Sequence, residues 1–109
     1  MVEDSAVLDR TYRALADATR RRLLVTLGAG EARITDLASP LPISFAAVAR
    51  HVAVLERAGL VEREVRGREH WVSVRPGALA DAEAWMAQQS AFWSRSADAV
   101  AEHFRRARR

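Results

Sequence analysis

"ISFAAVARHVAVLERAGLV", residues 43–61, decides the architecture of this chain. Ser44 stands as a helix N-cap, its hydroxyl able to accept from a free amide of the first turn. Ile43 before it and Val48 after it are placed for a hydrophobic staple. Gly59 follows Ala58 as a terminator, because glycine takes the left-handed conformation that ends helices. Between those limits Ala47, Val48, Val52 and Leu55 fall on one packing stripe. The other side shows Ser44, Phe45, Ala46, Ala49, Arg50, Ala53 and Arg57. Solvated helix faces are usually rich in Glu and Lys. This one is small, with an arginine at each of two turns, which suits close approach to another surface.

Upstream of it, Thr35 is the expected cap of a short helix, "DLAS", which the "PLP" of residues 40–42 ends by fixing φ. Earlier still, Asp17 is placed to cap "ATRRRLLVTL", which stops at the "GAG" of residues 28–30. Residues 5–16 carry Leu8, Tyr12 and Leu15 at helical spacing. Downstream, "LVEREV", "RGR" and "EHWVSV" alternate apolar and charged residues about Gly67, the pattern of a two-stranded hairpin. From Pro76 the pattern is helical again, with Leu79, Trp85, Met86, Phe92, Trp93, Val100 and Phe104 at near-heptad steps and a slight break allowed at "QQS". The expected fold is mainly α (α+β): a single winged helix-turn-helix domain over residues 1–109. Its helix-turn-helix spans 35–58, its wing hairpin 60–74, and helices over 1–16 and 76–104 flank them.

Composition narrows the function. No cysteine is present, which excludes disulfides, thiolate metal sites and a cysteine nucleophile. A Gly-rich phosphate loop and a Ser-His-Asp set are also missing, and the three histidines fall in different elements, so an enzyme is not expected. The opening "MVEDSAVLDR" lacks the basic start and apolar run of a signal peptide, and no run of about 20 apolar residues is present; a cytoplasmic protein is expected. The net charge of +3 is uneven: residues 1–18 carry −2, residues 19–75 carry +4 and residues 76–109 carry +1. An anionic partner facing the middle follows. The B-DNA major groove admits a helix, and its base edges offer acceptors to Arg and thymine methyls to apolar side chains. Arg50 is the expected base reader, and Ser44 a donor to a base or phosphate. Phe45, Ala46 and Ala49 are thymine contacts, and Arg57 is a phosphate contact. Arg66 and Arg68 flank the hairpin turn and are either placed to reach a minor groove or backbone, or simply two exposed hairpin charges. His51, beside the packing stripe, is open to either a packing role or a DNA contact.

With "ALADATRRRLL" (14–24), "ITDLA" (34–38), the quoted helix and the wing "VRGREHWVSV" (65–74), the chain resembles the ArsR family of bacterial winged-helix repressors. "FWSRSADAVAEHF" (92–104) looks like the closing helix of a metal-independent branch. The resemblance implies a homodimer that represses transcription from palindromic double-stranded operator DNA, with Ser44, Arg50 and His51 among the contacts. It also shows departures: alanine stands at 18 and 46 where proline is common, and at 49 where the family often has a DNA-contacting serine. No metal site is expected, because "ITDLA" has no cysteine and His103 is alone among Asp81, Glu83, Asp98 and Glu102 on the last helix. No cofactor is expected either. A dimer interface through Leu8, Tyr12, Leu15, Trp85, Phe92, Trp93, Val100 and Phe104 would bury the apolar stripes of the first and last helices. The aromatics at 85, 92 and 93 serve either packing or a small-molecule effector pocket. The alternative function is a winged helix that docks a protein through its alanine-lined face.

Overall fold

The computed structural model of the chain describes residues 5–108. The four residues before them, part of the reading against a signal peptide, lie outside the described residues. Contacts divide the chain into two compact units, one ending at Leu79 and the other beginning at Ala80.

In the first unit α1 (Ser5–Leu15) and α2 (Ala18–Gly28) precede a short strand β1 (Ala32–Arg33), then α3 (Ile34–Ala38) and α4 (Phe45–Arg57). The hairpin β2 (Val61–Arg66) and β3 (Glu69–Val74) completes it. The caps follow the local chemistry of the sequence. Asp17 has extended backbone angles, and its carboxylate accepts from the Arg20 amide at 3.1 Å. Ser44 accepts from the Ala47 amide at 3.1 Å. At the far end of α4 the Leu60 amide donates to the Leu55 carbonyl and the Gly59 amide to the Glu56 carbonyl, both at 3.0 Å. That pair of bonds is a Schellman motif, and it needs Gly59 at φ +76°. Leu55 and Leu60, brought together by the motif, are both buried.

The core collects one face of every helix of this unit and of β2 and β3: Ala14, Leu23, Leu27, Ile34, Leu37, Val48, Val52, Leu55, Leu60, Val61 and Val72, with Ala32 of β1 half-buried against it. Val48, Val52 and Leu55 of the expected α4 stripe are fully buried, and Ala47 is half-buried. Ile43 stays 37 % exposed, so it does not join the core in which Val48 lies. On α1 the face turned to the core carries Thr11 and Ala14, while Leu8, Tyr12 and Leu15 are half-buried beside it. Leu15 also packs against this subunit's own core.

The expected two-stranded hairpin is present, and a third strand extends its sheet, in the order β1-β3-β2, all antiparallel. Ala32 pairs with Val72 and Arg33 with Trp71. Two residues cannot show an alternating pattern, so this strand is invisible to periodicity. The same pairing moves the start of α3: Arg33, still extended at ψ 153°, is the residue before the helix, not Thr35. Asp36 closes the turn by accepting from the Arg33 amide at 3.2 Å.

The second unit is α5 (Ala80–Ala107), 28 residues without interruption at 88–90. At 1.5 Å per residue it is about 42 Å long. Met86, Trp93, Val100 and Phe104 recur along it at steps of seven, seven and four, and each is about half exposed or more. Phe92 is 56 % exposed on an adjacent line. Glu102 accepts from Arg105 and Arg106, and His103 meets Phe104 edge-on with centroids 6.0 Å apart. Among the described residues no helix is long and apolar enough to cross a membrane.

Candidate nucleic-acid interface

Burying Val48, Val52 and Leu55 turns the opposite side of α4 outward. Phe45 is 53 % exposed at its first turn, followed by exposed Ala46 and Arg50 and half-buried Ala49 and Ala53. Arg57 ends the line, two turns beyond Arg50 and about 10 Å along the axis. Ser44 uses its oxygen as the cap acceptor, which leaves its O–H proton free to donate outward.

The electrostatics of this surface are set by which arginines already have partners. Between residues 19 and 75 all six carboxylates are paired, and they are paired to only four arginines. Arg33 binds Asp36 and Glu69, Arg63 binds Glu56, Arg66 binds Glu31 and Glu64, and Arg75 binds Glu62. Glu56 is the single acid of α4, so its charge on that helix is compensated from β2. Arg20 and Arg21 are occupied differently. Arg20 donates to the carbonyls of Ala14 (2.7 Å) and Arg13 (2.9 Å), and Arg21 to that of Leu15 (2.7 Å), fastening α2 to the end of α1. The side chains of Arg22, Arg50, Arg57 and Arg68 remain exposed, with no hydrogen-bond or ion-pair partner among the described residues. The excess positive charge of the middle segment is therefore concentrated at named places, two of them on the free side of α4.

The sequence-based site splits at this point. Ser44, Phe45, Ala46, Ala49, Arg50 and Arg57 share one side of one helix. His51 lies at its margin, half-buried, with Nδ1 3.3 Å from Arg20 Nη1. A guanidinium can only donate, so Nδ1 accepts and the ring proton sits on Nε2. His51 thus joins α4 to the α1–α2 junction and still has one N–H to offer.

The two wing arginines are not equivalent. Arg68 is exposed in the turn. Arg66 donates to both oxygens of Glu31 at 2.9 and 3.0 Å and to Glu64 at 2.8 Å, and its guanidinium stands 4.9 Å over the Trp71 ring. Arg33 approaches the same ring at 5.8 Å. These carboxylates hold both guanidinium groups more firmly protonated than usual. In return, hydrogen bonds from Arg33 lower Asp36 and Glu69, and one from Arg66 lowers Glu64. Arg66 is thus paired within the sheet and its surroundings, whereas Arg68 is not. The cross-strand register Arg33–Trp71–Glu64 puts this lattice on one sheet face, but it depends on β1, which the sequence pattern does not reveal.

Together the short helix α3, the turn, the exposed side of α4 and the hairpin define a winged helix-turn-helix of the DNA-binding type. A helix-turn-helix domain family matches residues 15–64. The transcriptional regulator Rv2034 of Mycobacterium tuberculosis is 35 % identical over 94 residues, which cover 86 % of this chain and 85 % of that one. The transcriptional repressor SdpR of Bacillus subtilis is 27 % identical over 79 residues, 72 % of this chain and 88 % of that one. The crystal structure of the ArsR-family transcriptional regulator RHA00566 superposes with a TM-score of 0.81 at 30 % identity. It covers 86 % of this chain and 97 % of its own. The chain belongs to the ArsR family of transcriptional regulators.

Proposed function

We propose that the protein is a homodimeric repressor that lays α4 in the major groove of a palindromic operator. Arg50 reads a base there, with Ser44 donating to a base or phosphate at the helix start. Phe45, Ala46 and Ala49 meet thymine methyls, and Arg57 and Arg68 take backbone phosphates. His51 adds one N–H at the margin, and Arg66 acts only by holding the wing. One observation carries this reading: every carboxylate of the middle segment is paired, while the exposed side of α4 keeps two arginines without partners.

Three further points support the finer claims. The half-exposed apolar stripe of α5 and the half-buried Leu8, Tyr12 and Leu15 of α1 supply apolar surface for a second copy. A two-fold dimer sets two recognition helices about 34 Å apart, one helical turn of DNA. SdpR, similar over most of both chains, is named a repressor. On α5 the carboxylate of Glu102 is taken by Arg105 and Arg106, which favours regulation without a metal.

The test is to select the operator from random DNA and then titrate the duplex at increasing salt. A bound dimer loses affinity steeply through counterion release. Absence of any salt-sensitive complex overturns the proposal and leaves the helix face to protein docking.

A further inference from the structure

A second cluster of arginines lies away from the reading end of α4. Arg10 and Arg13 are three residues apart on α1, hence on one face of it, and both are exposed. They line a cleft of about 230 Å3 together with Val54, Arg57 and Ala58 at the C-terminal end of α4. Val54 and Ala58 are half-buried against the core and form an apolar floor. Among the described residues no carboxylate lines the cleft, and none of the three guanidinium groups has a partner.

This is unlike the sheet and its surroundings, where the six carboxylates of residues 19–75 are matched to four arginines. Arg13 and Arg57 each stand in the last turn of a helix, where a cation favours the negative end of the helix dipole. That effect explains one arginine per helix end. It does not explain Arg10, nor three like charges around one apolar floor. Like charges so close raise the local potential, and an anion seated among them relieves it.

We infer that the cleft between α1 and the end of α4 is an oxyanion site for a phosphate group, held by Arg10, Arg13 and Arg57. Its volume is below the roughly 300–1,000 Å3 of sites for drug-sized molecules, which suits a phosphate or a small phosphorylated compound. Guanidinium groups bind phosphate oxygens in pairs, and three of them can engage several oxygens of one group. The phosphate comes either from a free small anion or from a duplex backbone. Only the second source rests on the DNA-binding reading above.

Inorganic pyrophosphate is the probe for the first source and the selected operator duplex for the second. Arg10→Gln/Arg13→Gln keeps the stems and the helix, because glutamine is a good helix former; thermal melting checks that it folds. If the anion is free, pyrophosphate binds once per chain where chloride and acetate at equal ionic strength do not. The double variant then binds it about tenfold more weakly, or worse. If the phosphate belongs to DNA, pyrophosphate binding is absent. The log–log salt slope of operator binding then falls by about one for each arginine removed. Pyrophosphate no better than chloride, with an unchanged salt slope, overturns the inference. Arg50→Ala separates the two readings, since it weakens operator binding and leaves pyrophosphate affinity unchanged. Should no duplex bind the wild-type chain, the DNA reading falls and pyrophosphate alone decides the cleft.

Discussion

Arg66 lies over Trp71 at 4.9 Å while Glu31 and Glu64 occupy its N–H groups. A guanidinium stacked on one side and bonded at its edge has little left for a phosphate. The two arginines flanking Gly67 therefore stand in different surroundings, one paired and one exposed, although nothing in "RGR" itself separates them.

Arg50→Ala is expected to weaken operator binding by about 1–3 kcal/mol and to relax preference at one base pair, the cost of losing one base-reading side chain. Arg66→Ala is expected to leave base preference unchanged and to lower thermal stability. Binding titrations on the operator and its single-base variants, with melts of both proteins, check the contrast. Equal loss of base preference in both variants would show that Arg66 also reads DNA.

Arg68→Ala is expected to act uniformly. A lost phosphate contact weakens binding to every sequence and makes the salt slope shallower by about one. Titrations at several salt concentrations, on operator and on unrelated duplex, measure it.

Gly59→Ala is expected to destabilise the protein by roughly 1 kcal/mol, because alanine at φ +76° carries a steric cost that glycine lacks. Crowding is not the cause: a β-carbon there would sit 3.7 Å from Arg75 Nη1, an ordinary contact. Chemical denaturation should show a lower midpoint with an unchanged slope.

Acid should loosen the wing. Asp36, Glu69 and Glu64 titrate below their ordinary values of 3.8, 4.5 and 4.5 because of hydrogen bonds from Arg33 and Arg66. Groups lowered in the folded state contribute stability above the unfolded values and lose it as pH falls through the folded ones. Trp71 emission, in a chain with Trp85→Phe and Trp93→Phe, should be steady from neutrality to about pH 5 and change below the ordinary carboxylate range. A change centred near neutrality would contradict this assignment.

Trp93→Glu should reduce self-association, because it puts a charge in the middle of the α5 stripe. Sedimentation at several concentrations measures the shift, and operator affinity should fall with it if two recognition helices act together.

Much of this was legible in the sequence. Ser44, Asp17 and Gly59 announce three helix ends through short-range chemistry, and the stripe at Val48, Val52 and Leu55 states which way α4 faces. These are local properties. The remainder depends on pairings between distant residues. β1 exists because Ala32 and Arg33 meet Val72 and Trp71, some 40 residues on. Arg33 displaced Thr35 from the start of α3 for the same reason. The pairing of Arg66 does not show in the sequence because Glu31, its main partner, is 35 residues away, and the cleft at Arg10, Arg13 and Arg57 needs α1 and α4 already packed.

Arg33 begins α3 and at the same time grips Glu69 of the hairpin. The ion pair ties the start of the helix-turn-helix to the wing across 36 residues of sequence. Under the proposed reading, a duplex that fits α4 but offers its flanking backbone one base pair too near or too far would strain this tie, so spacing as well as base identity would enter the fit.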